Sequence, residues 1–452
     1  MAATHAVLVC GPGLGHMNGS MLLAESLLST ASSFFSKATL VCFSRSYHTL
    51  TRKGYLSNFD TNPSIHLEIV PDGLPLQTDS YRDLFATTEA MREGLFQLLH
   101  RLHSSEQGGI CLITDMLMAW AQATAEQLGI PRVEYWTASA TSYLCLLSIE
   151  ELTRRGLACS HEGEEPSGWT TQKEVKLDCI PGLPDFPLQE VPREFRYAKS
   201  AEGPLLENLV IAARNAGRAN IGLKPYAIGP LLHHNQLLRE PSKCDPKDFG
   251  KVLSWLNSHS ASSVVYASFG SNVKLRKNEL TELIHGLEAS GHPFLLVART
   301  DAIVEGDDLQ RSFPCSNGTA SSCGLTVPWV PQQSVLAHPA VGAFFSHCGW
   351  NSTMESLWHG VPMLCCPRGA EQPTNCRFIV KHWKVGMELR TNQDGSFGRE
   401  DVSEGVQVML RGEDGQLVKK MAKQFSIRLR EATVEGGHSH SSLLKFAMDF
   451  TT

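Results

Sequence analysis

The chain alternates short, continuous apolar runs with stretches in which apolar residues recur at helical spacing. Four apolar runs in the first 150 residues predict strands, and helical patterns follow the first and the last of them. Continuous apolar strands are typical of a parallel sheet whose two faces are both covered by helices. The predicted strands are Ala6–Cys10, Thr39–Ser44, Ile65–Val70 and Ile110–Thr114, and the predicted helices are Met21–Leu28 and Ala119–Leu128.

The alternation starts again after residue 250, beyond a polar, proline-containing stretch at 236–250 that is typical of a linker. We therefore predict two α/β domains, over residues 1–235 and 251–435, each with a doubly wound parallel sheet. Ligands of such sheets bind beyond the carboxyl ends of the strands. In the second half the predicted strands are Ser263–Ser268, Phe294–Ala298, Thr326–Val327, Gly342–Ser346 and Met363–Cys366, and the predicted helix is Asn278–Ser290.

Composition excludes several classes of protein. The 452 residues carry 40 Lys+Arg against 46 Asp+Glu, so the basic excess typical of nucleic-acid binding is missing. No apolar run approaches the ~20 residues of a membrane helix, and the N-terminus lacks the basic start of a signal peptide. The 13 Cys are scattered without a CxxC pair, which favours free thiols in a reducing cytosol. We therefore expect a cytoplasmic protein without nucleic-acid or membrane partners.

The first glycine-rich turn, Gly11–His16, is similar to a dinucleotide-binding fingerprint but does not satisfy it. Counted from Gly11 or from Gly13, the final small position is occupied by His16 or Asn18. No acidic residue follows the second strand at the distance needed to hold a ribose hydroxyl. A nicotinamide oxidoreductase is therefore disfavoured. The chain also has no Asp-x-Asp pair that would hold a divalent ion on a diphosphate.

The densest group of chemically unusual residues lies in Trp329–Gln372. Its middle predicts a strand, then a turn, then a helix. Helix N-termini bind phosphate, because their first N–H groups have no intrahelical acceptor and the helix dipole is positive there. The positive charge that attracts an anionic ligand is thus expected from backbone amides and from His347, at the end of the strand, rather than from a basic patch. The turn contributes Gly349, which allows close backbone approach, and the capping residue types Asn351, Ser352 and Thr353.

Other residues of this segment suit a nucleoside and a sugar. Trp329 offers a flat face for a base, Glu355 an acceptor for ribose hydroxyls, and Glu371 with Gln372 acceptors and donors for a polyol. Taken singly, each has a plain structural explanation, such as a core Trp, a capping Ser or a surface Glu. The combination is hard to explain in that way.

Trp329–Gln372 resembles the 44-residue signature of plant-type family 1 UDP-dependent glycosyltransferases, and the matching motifs stand at the family spacing. These motifs are Trp-x-Pro-Gln, His-Cys-Gly-Trp-Asn-Ser, Glu355, Gly-Val-Pro and the closing Glu-Gln. Shorter motifs extend the resemblance along the chain at Gly15–Asn18, Pro71–Pro75, Ile180–Pro184, Ile228–Pro230 and Ser268–Ser271. The resemblance implies the GT-B fold, in which two Rossmann-like doubly wound domains face each other across a cleft.

The resemblance places the UDP-sugar in the domain at 251–435. It implies that Trp329 stacks on uracil, that Gln332 and Glu355 hold the ribose, and that Glu371 and Gln372 hold the sugar. Contacts to the diphosphate are implied for the polar residues at the two turns. The donor-binding residues that it implies are Ser271, Trp329, Val330, Gln332, His347, Trp350, Asn351, Ser352, Glu355, Glu371 and Gln372.

The domain at 1–235 is the acceptor-binding domain by the same resemblance, with a C-terminal helix at about 436–452 packed back on it. His16 matches the catalytic base, Asp115 the carboxylate that orients it, and Thr137 a residue that touches the sugar 6-hydroxyl. An imidazole with a pKa near 6.5 can take the proton of an acceptor hydroxyl as that oxygen attacks the anomeric carbon. A single displacement of this kind inverts the anomeric centre. The plainer explanations are a turn residue for His16 and a helix cap for Asp115.

Two positions depart from the family pattern. Gly19 stands where a proline is usual, so that Gly19-Ser20 is expected to loosen the start of the first helix. Arg368-Gly369 stand where an aromatic residue usually precedes the Ala-Glu-Gln triplet, and Arg368 is expected to bring a charge to the sugar pocket.

We therefore predict an inverting UDP-sugar-dependent glycosyltransferase, with UDP-glucose as the donor and a small apolar acceptor, such as a flavonoid or another phenolic, that offers a hydroxyl. It is expected to act as a monomer, without a metal or a cofactor. Acceptor contacts are expected from Pro71–Leu99, Tyr135–Leu147 and Phe186–Phe195. Two alternatives on the same fold are a catalytically silent UDP-sugar or small-ligand binding protein and a UDP-sugar epimerase.

Overall fold

The chain forms two compact units. The first unit is Met1–Leu232 together with Ala432–Thr452, and the second is His233–Glu431. The computed structural model describes residues 3–52, 62–74, 88–106, 108–157, 176–180, 182–183, 185–192, 195, 225–232, 246–271, 273–299, 324–392 and 395–451.

The predicted linker at 236–250 is only partly described. Residues 236–245 lie outside the described residues, whereas 246–250 open a helix that runs over Pro246–Asn257. Proline suits the first helical position, because its φ is already near the helical value and the N–H that it lacks has no intrahelical acceptor there. The end of the predicted linker is therefore helical.

The first unit contains a five-stranded parallel sheet in the spatial order third, second, first, fourth, fifth. Every residue of its first and fourth strands is buried, as expected for central strands covered on both faces. The sheet extends outward in opposite directions from these two strands, so its switch point lies between them. The strands are β1 (Thr4–Val9), β2 (Phe35–Phe43), β3 (Ile65–Val70), β4 (Ile110–Asp115) and β5 (Arg132–Tyr135), and a separate antiparallel pair is formed by β6 (Lys176–Leu177) and β7 (Phe186–Pro187).

The second unit repeats this winding and adds one strand. Its six-stranded parallel sheet consists of β8 (Val264–Ser268), β9 (Phe294–Val297), β10 (Gly324–Val327), β11 (Val341–Ser346), β12 (Met363–Cys365) and β13 (Gly386–Glu388). The spatial order is β10-β9-β8-β11-β12-β13, so the switch point lies between β8 and β11. Ligands of doubly wound sheets bind outside the carboxyl ends of strands at such points.

Helices connect the strands, and local chemistry marks several of their ends. Thr88 accepts from the N–H of Met91 at 3.2 Å at the start of one helix, and Gly129 ends another with a φ of 64°. Within the described ranges, no helix combines the length and apolarity needed to cross a membrane. The helices are α1 (Leu14–Thr30), α2 (Ser44–Arg52), α3 (Glu89–Ser105), α4 (Ala121–Leu128), α5 (Ala140–Leu147), α6 (Ile149–Arg154), α7 (Pro246–Asn257), α8 (Lys277–Ala289), α9 (Gln332–Leu336), α10 (Trp350–Trp358), α11 (Gln372–Arg377), α12 (Arg399–Arg411), α13 (Glu413–Thr433) and α14 (His438–Thr451).

All nine predicted strands are present, and most of their ends fall within two residues of the prediction. The sequence pattern did not predict β5 and β13. Both lie at an edge of their sheet, where a strand is not enclosed by neighbours on both sides, and both carry charged residues such as Arg132, Glu134 and Glu388. They therefore lack the continuous apolar run that identifies a central strand.

Helix α14 completes the core of the first unit. Its Phe446 ring stacks on Phe35 with 6.2 Å between ring centroids, and Tyr226 meets Phe446 edge-on at 5.6 Å. At the start of the helix the Ser439 hydroxyl donates to the Gly229 carbonyl at 2.6 Å. The last helix of the chain is thus part of the first unit rather than of the unit that precedes it in sequence.

We expect Phe446→Ala to lower the free energy of unfolding of the first unit by about 3–5 kcal/mol, because it removes a buried aromatic ring and leaves a cavity. Met448→Ala on the same helix is the matched control, since the Met448 side chain is 55% exposed. Its effect should stay below about 0.5 kcal/mol. Urea unfolding measures both, and equal losses would contradict the packing role of α14.

Candidate active site

The first cluster of site residues lies at the switch point of the first unit. The turn after β1 leads into α1, which carries His16, and the neighbouring strand β4 ends at Asp115. His16 Nδ1 lies 2.7 Å from Asp115 Oδ2, while Asp115 Oδ1 accepts from the N–H of Leu117 at 3.0 Å. The Asp115 side chain is fully buried, whereas that of His16 is 23% exposed. The carboxylate is therefore fixed, and the ring that it holds is still accessible.

This geometry sets the tautomer of His16. An ionised carboxylate only accepts hydrogen bonds, so Asp115 places the ring proton on Nδ1 and the lone pair on Nε2. Thr137, two residues beyond β5, brings its Oγ1 within 3.2 Å of the same Nδ1. A ring arranged in this way can take a proton at Nε2 and hold the resulting positive charge beside a carboxylate.

Gly11 makes this contact possible. A Cβ at this position would lie 2.6 Å from both Cγ and Oδ1 of Asp115, well inside contact distance. The carboxyl group is thus packed directly against the backbone of the turn after β1. Sequence reasoning noted the glycine-rich turn, but nothing in the sequence indicates which side chain needs the space.

The end of β5 packs on α1 at Gly19, one of the positions that depart from the family pattern. Helix α1 runs unbroken through Gly19, so the expected loosening of its start is not observed. A Cβ at Gly19 would lie 3.4 Å from the Tyr135 hydroxyl and 3.5 Å from Thr137 Cγ2. The Tyr135 hydroxyl also donates to the Gly19 carbonyl at 3.3 Å. Both Cβ distances are those of ordinary van der Waals contact, so the end of β5 packs closely on α1 here without requiring a glycine.

The second cluster lies at the switch point of the second unit, around the start of α10. We expected Asn351, Ser352 and Thr353 to cap this helix, and that expectation is wrong. The helix begins at Trp350 with Gly349 as its N-cap, because the extended backbone of Gly349 ends the preceding turn two residues before Asn351. The three residues therefore lie in the first turn, where Thr353 Oγ1 donates back to the Gly349 carbonyl at 3.0 Å.

His347 is packed between two glycines. A Cβ at Gly270, beyond β8, would lie 2.6 Å from the ring, and one at Gly349 would lie 2.5 Å from Nε2. Burial, reinforced by the nearby Arg299 guanidinium, lowers the pKa of His347 to about 4. At neutral pH the ring is therefore an uncharged donor. Our expectation that His347 supplies positive charge is wrong for this reason.

Arg299 brings a positive charge to this switch point. It follows β9, and its Nη1 donates to the Gly270 carbonyl at 2.7 Å, on the turn that also leads to Ser271. Its charge contributes to lowering the pKa of His347, so the guanidinium lies close to the ring. Sequence reasoning did not single out Arg299. Its position just beyond a strand of the sheet was the only signal.

Gln332 lies at the centre of a partly buried polar network. Its Nε2 donates to Glu355 Oε2 at 2.5 Å and to Ser352 Oγ at 3.0 Å, while its Oε1 accepts from the Tyr266 hydroxyl at 3.2 Å. The Tyr266 ring is buried and stacked on Phe344, with 5.0 Å between centroids. Burial raises the pKa of Glu355 to about 7, although the bond from Gln332 opposes the shift. The predicted ribose-binding pair is therefore in contact, and Tyr266 orients its amide.

Glu371 and Gln372 lie at the start of α11, beyond β12. Glu371 is the N-cap residue of that helix. Gln372 Oε1 accepts from the N–H groups of Arg368 and Gly369, at 2.9 and 3.1 Å. Arg368 forms an ion pair with Glu279 within this unit, so the charge expected at the sugar pocket is balanced by a carboxylate.

The remaining residues predicted to bind the UDP-sugar differ in their exposure to solvent. Trp329 is half-buried after β10, and Trp350 is half-buried at the start of α10, with its ring 6.3 Å from that of Trp383. Val330 is buried in the core, so only its backbone could meet a ligand. Ser271 follows β8 by three residues and is partly exposed.

Three thiols meet behind the turn that carries His347. The sulfurs of Cys348, Cys365 and Cys376 lie within 4.8 Å of one another in the apolar core. Burial raises the pKa of Cys348 and of Cys365 well above the ordinary thiol value. Because metals bind the thiolate rather than the thiol, these side chains pack as small apolar groups. All nine cysteines in the described part of the chain are free.

Comparison with known proteins identifies the family. Residues 223–419 match the family model described as "UDP-glucoronosyl and UDP-glucosyl transferase". UDP-glycosyltransferase 85A2 from Arabidopsis thaliana is 32% identical over 98% of this chain and 96% of its own length. The chain belongs to the plant UDP-glycosyltransferase family. Another relative of this glycosyltransferase, (R)-mandelonitrile beta-glucosyltransferase from Prunus dulcis, is 30% identical over 97% of this chain and 95% of its own.

Solved structures place the glycosyltransferase in the GT-B fold class. The Medicago truncatula enzyme UGT71G1, complexed with UDP-glucose, superposes with a TM-score of 0.75 at 25% identity, and the match covers 100% of this chain and 99% of that one. The predicted family, fold class and UDP-glycosyltransferase activity are confirmed. The roles of individual residues and the assignment of acceptor and donor to the two domains stay predictions.

We expect Gly270→Ala to weaken UDP binding to the glycosyltransferase at least tenfold, because the new methyl group would displace the His347 ring. Gly291→Ala is the matched control. Both glycines have a φ near +70°, so both variants carry the same backbone strain of about 1–2 kcal/mol, but a Cβ at Gly291 meets nothing within 4 Å. Titration calorimetry measures the affinity of both variants for UDP. Equal affinities in both variants would contradict a donor role for His347.

Proposed function

We propose that the enzyme transfers glucose from UDP-glucose to a hydroxyl of a small apolar acceptor, with inversion at the anomeric carbon and with His16 as the general base. The contact between His16 and Asp115 is the observation that carries this proposal. Asp115 is buried, is held at its other oxygen by the N–H of Leu117, and orients an accessible ring whose Nε2 lone pair can accept a proton.

The reaction balances as a single displacement. The acceptor oxygen forms a bond to the anomeric carbon as the bond from that carbon to the UDP oxygen breaks. The acceptor proton passes to Nε2 of His16, and the resulting imidazolium is stabilised by the Asp115 carboxylate. UDP leaves with the electron pair of the broken bond.

Donor binding is supported by the polar groups at the switch point of the second unit. The first-turn amides of α10, the neutral His347 donor and the Arg299 charge suit a diphosphate leaving group. The Gln332–Glu355 pair suits the two ribose hydroxyls, and the half-buried Trp329 suits the uracil face. Metal-independent turnover stays a prediction, and a chelator in the assay tests it.

Two related proteins support the donor and the stereochemistry. The Medicago enzyme was solved with UDP-glucose, and the Prunus relative is named as a beta-glucosyltransferase. Since the glucose of UDP-glucose is α-linked, a β product requires an inverting displacement.

An aromatic acceptor is supported by the surroundings of Thr137. Trp136 and Tyr143 are both half-buried, and their ring centroids lie 4.9 Å apart. Thr137, which contacts His16, is the next residue after Trp136. Flat apolar rings pack well against such a surface, which favours a phenolic such as a flavonoid. Much of the predicted acceptor-binding segment Pro71–Leu99 lies outside the described residues.

Assignment to the cytoplasm and to a monomeric state stays part of the same proposal. The scattered cysteines suit a reducing compartment. Size-exclusion chromatography with light scattering would test the monomer, and imaging of a tagged protein would test the location.

His16→Ala should lower kcat for acceptor-dependent UDP release by about 10²–10⁴-fold, because general base catalysis is lost. The assay supplies UDP-glucose and a panel of phenolic and cyanohydrin acceptors, with products identified by mass spectrometry. UDP-glucose affinity should remain within a factor of about two, since donor contacts are proposed for the second unit. Asp115→Asn should reduce kcat as well, because it permits the other tautomer of His16.

His103→Ala, at an exposed position on α3, is the control for this assay and should keep the wild-type kcat. Tight binding of UDP-glucose without turnover in the wild type would support the silent binding protein instead. Conversion of the donor with no acceptor present would support the epimerase.

Affinity for UDP-glucose should rise about tenfold between pH 6 and pH 8. The Glu355 carboxyl has a pKa of about 7 in the unliganded protein, and ribose hydroxyls would donate to its ionised form. Binding therefore lowers this pKa and releases a proton, so affinity increases as pH rises through 7. Both phosphates of UDP-glucose are esterified and do not titrate in this range.

Glu355→Gln is the control for this pH dependence and should flatten it. His347 does not contribute, because its pKa of about 4 keeps it neutral throughout. Calorimetry in buffers of different ionisation enthalpy measures the released proton directly. The same slope in the wild type and in Glu355→Gln would exclude Glu355 as its source.

A further inference from the structure

The loop between β12 and α11 is held by its own glutamine. Gln372 Oε1 accepts from the N–H groups of Arg368 and Gly369, at 2.9 and 3.1 Å. Each of those two bonds uses one of the two lone pairs of the amide oxygen. The oxygen is thereby committed to the loop, and the amide NH₂ is the end of the side chain left for a ligand.

Arg368 anchors the same loop from the other side. Its guanidinium is ion-paired with Glu279, and the two side chains are only 15% and 11% exposed. It also donates to the Gly395 carbonyl at 3.1 Å and lies over the Phe397 ring, 5.5 Å from its centroid. The loop is therefore tied to α8 and to the segment before α12.

Glu279 is itself held in place at the start of α8. Its Oε2 accepts from the backbone N–H of Arg276 at 2.9 Å, while its Oε1 meets Arg368. Because α8 is fixed by this cap and by its packing on the sheet, the carboxylate is a rigid anchor for the arginine. A buried charge pair of this kind is costly to break, since one charge is left without a partner.

We propose that Arg368 and Glu279 form a positioning pair that fixes the loop and, through its backbone, the orientation of the Gln372 amide toward the sugar of the donor. This rests on the proposed function and on the family resemblance, which implies that Gln372 holds the sugar. Gln372 then recognises the sugar as a hydrogen-bond donor to a hydroxyl oxygen. Arg368-Gly369 stand where the family pattern usually has an aromatic residue, so the ion pair is a feature of this chain's own loop.

The test compares two arginine–glutamate pairs that both involve α8. Arg368→Ala breaks the pair beside Gln372. Arg399→Ala breaks the more exposed pair between Arg399 and Glu282. Within the described residues, this pair forms no hydrogen bond or ion pair with the loop between β12 and α11. We expect Arg368→Ala to raise the KM for UDP-glucose about tenfold and to leave the Kd for UDP, which lacks the sugar, unchanged. Arg399→Ala should change neither value.

A charge reversal separates positioning from loss of folding. Arg368→Glu alone should raise the KM for UDP-glucose, and Arg368→Glu combined with Glu279→Arg should recover part of the loss. The double variant also loses the Glu279 cap on the Arg276 N–H, so its melting temperature should stay below that of the wild type, and recovery of KM alone identifies positioning. Equal KM values for Arg368→Ala and Arg399→Ala would overturn the proposal. So would an equal loss of affinity for UDP and for UDP-glucose, because that would indicate general damage to the unit.

If Arg368→Ala leaves the KM unchanged, a Gln372 variant distinguishes failure of the positioning pair from failure of the proposed sugar-binding role of Gln372. Gln372→Glu keeps an acceptor for the two loop N–H groups but presents no N–H to the sugar, so it should raise the KM for UDP-glucose with the UDP affinity retained. An unchanged KM in this variant would remove the proposed sugar role of Gln372 itself. A raised KM here with a wild-type KM in Arg368→Ala would remove only the positioning pair.

Discussion

Steric clearance beside glycine is the constraint on which both candidate sites depend. In the first unit the Asp115 carboxyl lies against the backbone of Gly11, and in the second the His347 ring lies between Gly270 and Gly349. In each case a side chain at the end of one central strand crosses to the turn that follows its neighbour. Parallel strands are only about 4.8 Å apart, so a side chain that crosses in this way comes close to the backbone of the facing turn. At Gly11 and at Gly270 a Cβ would lie 2.6 Å from that side chain. The doubly wound topology thus brings the two strand ends together, and the glycines leave the space that the crossing side chain occupies.

The charge distribution follows from how deeply these groups are buried. Desolvation keeps His347 neutral and raises the pKa of Glu355, so neither residue carries its full formal charge at neutral pH. An anionic ligand would therefore meet oriented N–H groups together with the guanidinium of Arg299. A net charge of −6 over the whole chain is compatible with such a site, because the relevant charges act over a few ångströms.

The sequence predicted the central strands of both sheets and many members of each cluster, since both leave local patterns. Central strands appear as apolar runs, and the signature places Gln332 and Glu355 at a fixed spacing. Contacts made across long stretches of sequence were not predictable in the same way. The pairing of Arg368 with Glu279 joins residues 89 positions apart, and the bond from Arg299 to Gly270 depends on two neighbouring strand ends. The start of α10 was misplaced because good capping residues stood just inside a helix that Gly349 already begins.

The position of α14 has a consequence for how the protein is made. Residues 438–451 belong to the core of the first unit, although the whole of the second unit lies before them in the chain. A ribosome that works from the N-terminus therefore completes the second unit before it delivers Phe446 to Phe35. Until then the first unit exposes the apolar surface that α14 covers, although all five strands of its sheet have already been synthesised. The first unit, although it begins first in the chain, is thus the second to receive all of its core residues.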